Sequence, residues 1–167
     1  YGIGGPVSAY ITPKDRNDLA NILKFAYEHS IETHFIGSGS NLLVADSGID
    51  GIVLTPAKAL THLEFTGRHV VAESGVMLGR LVKECVKRNL TGVESLIGVP
   101  GTLGGALVMN AGAFGSEIWQ YVVSVKTIDM NGNIQQRSPD DYVITYRSVK
   151  AKHNDEFFVS AEFNFNQ

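Results

Sequence analysis

The sequence lacks a cysteine pair, a long apolar run and a marked excess of either charge. Cys85 is the one cysteine among 167 residues, so no internal disulfide can form, which is compatible with a reducing cytoplasm. No stretch approaches the length of a membrane-spanning helix, and no signal-peptide pattern opens the chain. The formal net charge is −3 and no basic stripe is present, so nucleic-acid binding has no electrostatic support.

Metal-ligand spacing is also missing from the sequence. The histidines are scattered, and we expect no metal site among them: His29, His34, His62, His69 and His153. What the chain does have is apolar residues, at 44% of the total, which is enough to bury the core of one domain or of two small lobes. Cys85 falls on the apolar face of a predicted helix, so we interpret it as a core residue.

Apolar spacing predicts alternating strands and helices in the N-terminal part. The sequence Thr12-Pro13-Lys14-Asp15 is typical of a helix start, with Thr12 as the capping residue, and apolar residues follow it at helical spacing. The same spacing predicts a second helix over residues 78–86. Short strands are expected at residues 32–36, 52–54 and 69–72.

The last third of the chain predicts antiparallel strands. Residues 122–130 and 134–137 flank Asn131-Gly132, a hairpin signal because both residues tolerate positive φ. Apolar and polar residues alternate from 157 to 165, which indicates a half-buried strand. The predicted fold class is therefore α+β, with mixed and antiparallel sheets and flanking helices in two interlocked lobes, 1–55 and 56–167.

A first glycine-rich stretch follows the strand predicted at 32–36. Its consecutive backbone N–H groups and small polar side chains can hold a phosphate without any cationic side chain. The stretch is not a P-loop, and it departs from the usual dinucleotide fingerprint because Leu42 occupies the third glycine position. An ordinary tight turn explains it at least as well. Its residues are Gly37, Ser38, Gly39, Ser40, Asn41 and Leu42.

A second glycine-rich stretch, GVPGTLGGALVMNAGAFG, covers residues 98–115. Thr102 can cap a helix that starts there, and the N–H groups of a helix start suit an anion. Glycines inside such a helix allow either tight backbone packing or the close approach of a flat ligand. Two phosphate-compatible stretches in one small domain favour an extended cofactor that contains a diphosphate.

These motifs together resemble a known family. The series Ile3-Gly4-Gly5-Pro6, GSGSNLLV (37–44), GVPGTLGGALVMNAGAFG and Tyr146-Arg147-Ser148 is similar to the FAD-binding part of the UDP-N-acetylenolpyruvoylglucosamine reductases. The resemblance covers essentially the whole chain. It implies a two-lobed FAD-binding domain of the vanillyl-alcohol-oxidase (PCMH) type.

The resemblance also implies which residues bind the cofactor. The backbone of residues 37–42 would hold the FAD diphosphate. The flavin and the diphosphate would be lined by Pro100, Gly101, Thr102, Gly104, Gly105, Asn110, Ala111 and Gly112. Val159, on the inner face of the last predicted strand, is a further expected contact of the isoalloxazine ring.

The family's reaction implies a role for Arg147. NADPH reduces FAD, and the reduced flavin then reduces the enolpyruvyl ether of UDP-N-acetylglucosamine, a step of bacterial peptidoglycan synthesis in the cytoplasm. Arg147 matches the family's active-site arginine, which suits a substrate carboxylate because a guanidinium is always charged and donates two parallel hydrogen bonds. Tyr146 is the expected substrate contact, although the residues alone indicate only a surface Tyr-Arg pair at a strand end.

The family's proton donor, a serine, and an assisting glutamate belong to a C-terminal substrate-binding domain that this sequence does not contain. We therefore expect the chain to bind FAD without completing the family's reaction. Two other functions remain open at this point. One is an FAD-linked oxidase of the same fold, although neither glycine-rich stretch holds a His or Cys for covalent flavin attachment. The other is a non-enzymatic module whose glycines serve packing or partner binding.

Overall fold

The computed structural model describes residues 4–153 and 156–167, so Ile3 of the first family motif lies outside the described residues. Within these ranges the helices are α1 (Arg16–Glu28), α2 (Leu78–Val86) and α3 (Leu103–Val108). The strands are β1 (Val7–Ile11), β2 (Thr33–Phe35), β3 (Ile49–Leu54), β4 (Leu63–Thr66), β5 (His69–Glu73), β6 (Gly112–Ala113), β7 (Ser116–Glu117), β8 (Val122–Ile128), β9 (Ile134–Arg137), β10 (Tyr142–Thr145), β11 (Ser148–Ala151) and β12 (Phe157–Asn164).

The N-terminal part forms a small parallel sheet covered by α1. Strands β1 and β2 both pair in parallel with β3, in the order β1-β3-β2. Leu19, Leu23 and Ala26 of α1 are fully buried in a core cluster that also contains Leu54. The helix begins later than the sequence predicts, because Asp15 and not Thr12 caps it: the Asp15 carboxylate accepts the N–H of Asp18 over 2.9 Å.

The C-terminal part is built on an antiparallel sheet in the order β4-β5-β12-β8-β9. Strand β12 lies at its centre, pairing with β5 on one side and with β8 on the other. The alternation predicted for this strand is confirmed, since Val159, Ala161 and Phe163 are all buried. Ser160 is buried as well, whereas Glu162 is partly exposed and Asn164 is exposed. The fold is therefore α+β with mixed and antiparallel sheets, as the sequence predicts.

The hairpin predicted at Asn131-Gly132 is confirmed between β8 and β9. The Asp129 carboxylate closes the loop by accepting the backbone N–H groups of Asn131 (2.8 Å) and Asn133 (2.9 Å). Of the two turn residues, Gly132 alone has a positive φ, +80°. The turn therefore needs one residue with left-handed freedom, where the sequence suggested two.

Both parts of the chain share a core. Strand β3 ends at Leu54, close to the predicted lobe boundary at 55/56, yet Ile128 and Val159 from beyond that boundary pack in the α1 cluster. The lobe boundary stays a prediction. Cys85 is confirmed as a core residue of α2 with no exposed surface. Among the described residues, no helix has both the length and the apolarity needed to cross a membrane.

Candidate functional site

A cleft of about 330 Å³ brings the two glycine-rich stretches together. Its walls are the loop after β2, the turn that leads into α3, one side of α3 and the start of β12. Of the residues singled out in the sequence, the cleft is lined by Gly37, Ser38, Gly39, Ser40, Asn41, Leu42, Pro100, Gly101, Thr102, Gly104, Gly105, Ala111 and Arg147.

The loop after β2 presents unused backbone donors to this cleft. Within the described chain, no hydrogen bond is donated by the backbone N–H groups of residues 37–41. The loop is nevertheless held in place, because Thr55 Oγ1 donates to the carbonyl oxygen of Gly37 over 3.3 Å. Ser40 Oγ donates to the carbonyl oxygen of Pro100 over 3.1 Å. Fixed, unpaired N–H groups of this kind form an anion-binding concavity.

The glycines lining the cleft have two different tasks. A Cβ at Gly37 would overlap Thr102 Oγ1, and a Cβ at Gly104 would lie 3.1 Å from the Ser74 Cβ. Because these two glycines have no side chain, the glycine-rich stretches can pack tightly against Thr102 and Ser74. A Cβ at Gly105 would have no protein neighbour closer than 3.8 Å, so the absence of a side chain there leaves room inside the cleft. Packing and space for a ligand both explain the glycine content.

The start of α3 is less available to an anion than the sequence suggests. The N–H of Leu103 donates to the carbonyl oxygen of Val76, and the N–H of Gly104 donates to that of Ser74, each over 2.8 Å. Thr102 precedes the helix as expected, but its side chain makes no capping hydrogen bond. The physical reason is that α3 packs directly on the segment between β5 and α2, which uses these donors.

Arg147 reaches the cleft from the turn between β10 and β11. Its backbone is left-handed, with φ +57°, and its guanidinium carbon lies 6.0 Å from the centroid of the Tyr146 ring. Tyr146 is 81% exposed and does not line the cleft. The turn thus places Arg147 at the edge of the cleft and the neighbouring aromatic ring in solvent.

Three further residues from the sequence prediction do not line the cleft. Asn110 is 1% exposed and donates hydrogen bonds to Glu117 and to the carbonyl of Thr145. A Cβ at Gly112 would overlap the carbonyl oxygen of Ser116. Val159 is fully buried in the α1 cluster. Cofactor contacts by these residues, and substrate contact by Tyr146, stay predictions, and the structure gives Asn110, Gly112 and Val159 roles in packing and hydrogen bonding.

Sequence reasoning missed the wall formed by Glu156, Phe157 and Phe158. Phe157 stacks on Phe35, with 3.9 Å between the ring centroids. The signal in the sequence is weak, because the start of a strand with two consecutive phenylalanines resembles ordinary core. Their position at the cleft follows only from the pairing of β12 at the centre of the sheet.

Glu156 is a buried carboxylate on this wall, and it is held ionised. Burial raises its pKa, but hydrogen bonds from Arg137 and Thr127 outweigh that effect and hold the pKa below the usual value for glutamate. Arg137 Nη2 and Thr127 Oγ1 each donate to the carboxylate over 2.5 Å, and Arg137 Nε donates over 3.1 Å. The cleft therefore has a neutralised ion pair behind one wall, and Arg147 is among the residues that line it.

Most of the residues that line the cleft lie in a segment that matches a known protein family. Residues 7–138 match a family described as "FAD binding domain". The chain belongs to this FAD-binding family. The match spans the parallel sheet, both glycine-rich stretches and the β8–β9 hairpin.

Similar proteins agree with this assignment. The chain is 39% identical over 167 residues to the UDP-N-acetylenolpyruvoylglucosamine reductase of Clostridioides difficile, covering 100% of this FAD-binding chain and 55% of the relative. A crystal structure of the Thermus caldophilus enzyme of the same name matches with a TM-score of 0.81 and 27% identity, over 99% of this chain and 58% of that one. The chain thus corresponds to the FAD-binding part of these reductases and spans about half their length.

The same fold occurs in an oxidase. The 6-hydroxy-D-nicotine oxidase of Arthrobacter nicotinovorans matches with a TM-score of 0.72 at 17% identity, over 95% of this chain and 36% of that one. At this identity the likeness concerns the fold alone. The vanillyl-alcohol-oxidase-type fold expected from the sequence is therefore confirmed, and the fold by itself does not select between a reductase and an oxidase.

Proposed function

We propose that this chain is the FAD-binding part of a bacterial reductase that converts UDP-N-acetylglucosamine enolpyruvate to UDP-N-acetylmuramate with NADPH. The observation that carries the proposal is the cleft itself. Both family motifs meet there, with fixed and unpaired backbone N–H groups on one side and an arginine on the other. The proposed reaction belongs to peptidoglycan synthesis, and its reactants place the protein in the cytoplasm.

The residues present fit FAD on structural grounds. The unpaired N–H groups of residues 37–41 suit a diphosphate, since an anion satisfies donors that the protein leaves free. The open space over Gly105 and the apolar wall of Phe157 and Phe158 suit a flat ring system. FAD, when bound, would supply the hydride-transfer chemistry between NADPH and the enolpyruvyl group.

In this proposal, Arg147 binds the carboxylate of the substrate. The turn that carries it lies at the cleft, and a guanidinium there can hold the substrate carboxylate by two hydrogen bonds and stabilise the negative charge that develops beside it. Delivery of the proton to C2 is assigned to the further length of the relatives, so the nucleotide sugar would be bound jointly with that part.

An FAD titration of the purified 167-residue chain tests the proposal. Saturable quenching of flavin fluorescence is expected, and flavin should be released into solution when the protein is denatured. Gly105→Leu should weaken FAD binding at least about tenfold, because its side chain fills the cleft. Leucine is also the better helix former, by roughly 0.5–1 kcal/mol, so stability should not fall. Gly79→Leu is the matched control on α2, because a Cβ at Gly79 meets no protein atom within 4 Å.

The outcomes of the titration distinguish the proposed function from its alternatives. Equal FAD affinity in Gly105→Leu and the unchanged chain would show that the cofactor is not bound over α3. Flavin that stays on the denatured polypeptide would favour an FAD-linked oxidase. No binding by the unchanged chain would favour the non-enzymatic reading of the glycines.

A further inference from the structure

Asn110 stands between the wall of the cleft and the turn that carries Arg147. It directly follows Met109, which caps the C-terminus of α3 and lines the cleft. The Asn110 side-chain nitrogen donates to Glu117 Oε2 over 2.7 Å and to the carbonyl oxygen of Thr145 over 3.1 Å. An amide has two N–H donors, so both are used inside the chain and neither is left for a ligand.

The partners of Asn110 fix the orientation of its amide. A carboxylate and a carbonyl both accept hydrogen bonds, so the nitrogen must face them, and the Asn110 oxygen accepts none from the described residues. Glu117 is itself anchored. Its carboxylate accepts the backbone N–H of Gln120, and its own N–H donates to Gln120 Oε1 over 3.2 Å. Through these hydrogen bonds, Asn110 connects the β6–β7 hairpin, which contains Glu117, to the β10–β11 hairpin, which contains Thr145.

The backbone is left-handed at both ends of this connection. The φ of Asn110 is +42°, a value that asparagine tolerates, and that of Arg147 is +57°, a value that few residues other than glycine, asparagine and aspartate adopt. Thr145 pairs with Ser148 in the last pair of the β10–β11 ladder, so Tyr146 and Arg147 form the turn between them. A hydrogen bond on the Thr145 carbonyl therefore restricts this turn where it begins.

We propose that Asn110 is a positioning residue whose side-chain amide fixes the β10–β11 turn through the Thr145 carbonyl, and so sets the position of Arg147 at the cleft. The geometry favours this role over direct cofactor contact, because the side chain is buried, lies off the cleft and has both donors occupied. The importance of the role for activity rests on the proposed function, in which Arg147 holds a substrate carboxylate.

Two substitutions remove the donor in different ways. Asn110→Asp keeps the size and tolerates the left-handed backbone, but it places an acceptor against Glu117 and the Thr145 carbonyl. Asn110→Gly accepts the same φ and removes the side chain without adding repulsion. In both variants we expect the backbone amide of Ser148, which pairs with Thr145 across the turn, to exchange with solvent about tenfold faster, the factor that corresponds to losing one hydrogen bond. The ¹³Cα chemical shift of Arg147 should also move away from its left-handed value, and the amides of α1 should keep their protection.

A double variant separates positioning from general structural support. In Asn110→Asp with Glu117→Gln, the new glutamine amide can donate to the new aspartate, so the link between these two positions is restored with reversed polarity. The Thr145 carbonyl still lacks its donor. The melting temperature should recover relative to Asn110→Asp, while the exchange of the Ser148 amide and the ¹³Cα shift of Arg147 should stay altered.

The FAD titration completes the test. Positioning predicts FAD affinity within about threefold of the unchanged chain in Asn110→Gly. A tenfold loss of FAD affinity with an unaltered Arg147 signal would make Asn110 a cofactor contact and overturn the proposal. An unaltered Arg147 signal in both single variants would overturn it as well. If the unchanged chain binds no FAD, the proposed function fails, and the exchange measurement on the cofactor-free chain still decides the role of Asn110.

Discussion

The hydroxyl of Ser40 donates a hydrogen bond to the carbonyl oxygen of Pro100 over 3.1 Å, although 60 residues separate the two in the chain. This bond joins the loop after β2 to the turn before α3. A Cβ at Gly101 would lie 3.2 Å from the same hydroxyl oxygen, so the contact also depends on a bare backbone at residue 101. The cleft has a defined shape because its two glycine-rich walls are bonded to each other.

Removal of this bond should weaken the cleft. Ser40→Ala is expected to lower the free energy of unfolding by about 1 kcal/mol, the usual net value of a hydrogen bond. FAD affinity should fall a few-fold, since the loop keeps its N–H groups and loses part of its anchoring. Urea unfolding and the flavin titration measure the two effects. Ser47→Ala is the matched control, because Ser47 is exposed and makes no side-chain hydrogen bond in the described chain.

Gly37 should tolerate no side chain. Gly37→Ala would place a methyl group onto Thr102 Oγ1, and overpacking of this kind costs about 1–3 kcal/mol. The expected result is a lower urea midpoint at unchanged denaturant dependence. Gly98→Ala, whose Cβ would meet no protein atom, should stay within about 0.5 kcal/mol of the unchanged chain. Equal stability of the two variants would mean that the loop does not rest on Thr102 in solution.

Acidification should remove the stability that Glu156 contributes. Because the folded-state pKa lies below the ordinary glutamate value of about 4.3, the contribution is complete above that value and is lost as pH falls through the lower folded pKa. Glu156→Gln should cost about 2 kcal/mol at pH 7, mainly by leaving the Arg137 guanidinium without its charged partner. Unfolding free energies measured from pH 7 to pH 2 should converge for the two proteins. A constant difference across this range would contradict the assigned ion pair.

The Cys85 thiol should be unreactive in the folded chain. Burial raises its pKa to about 12, so almost no thiolate is present at pH 8, and the side chain has no exposed surface. Labelling by a thiol reagent should therefore be slow in buffer and rapid in urea. Ser substitution at Cys85 removes the labelled group and serves as the blank. Rapid labelling without denaturant would show that α2 opens readily.

Local patterns predicted most of the elements. The heptad-like apolar spacing of α2, the Asn131-Gly132 turn and the alternation of β12 each depend on neighbours within a few residues, and each is confirmed. The start of α1 was displaced because two residues near it, Thr12 and Asp15, can both cap a helix, and only the backbone decides between them.

The sequence predicted the two glycine-rich motifs of the site, but it did not predict which of their residues face the cleft. Asn110 and Val159 have residue types compatible with cofactor contact, yet both side chains are buried, because helix α3 ends at Val108 and β12 sits at the centre of the sheet. The donors expected at the start of α3 are occupied by carbonyls of the segment between β5 and α2. Neither fact depends on sequence neighbours, so neither was available from the pattern.

The sequence by itself determined which family the chain resembles, where the helices and about half of the strands lie, and which stretches are rich in glycine. These properties arise from local sterics and from the spacing of apolar residues along the chain. Only the tertiary structure decided which glycines serve packing and which leave space, which N–H groups stay unpaired, and which polar residue holds the Arg147 turn. Those properties depend on contacts between segments that are distant in the chain, and a hydrogen bond or an open space at such a contact exists only after the sheets and helices have packed.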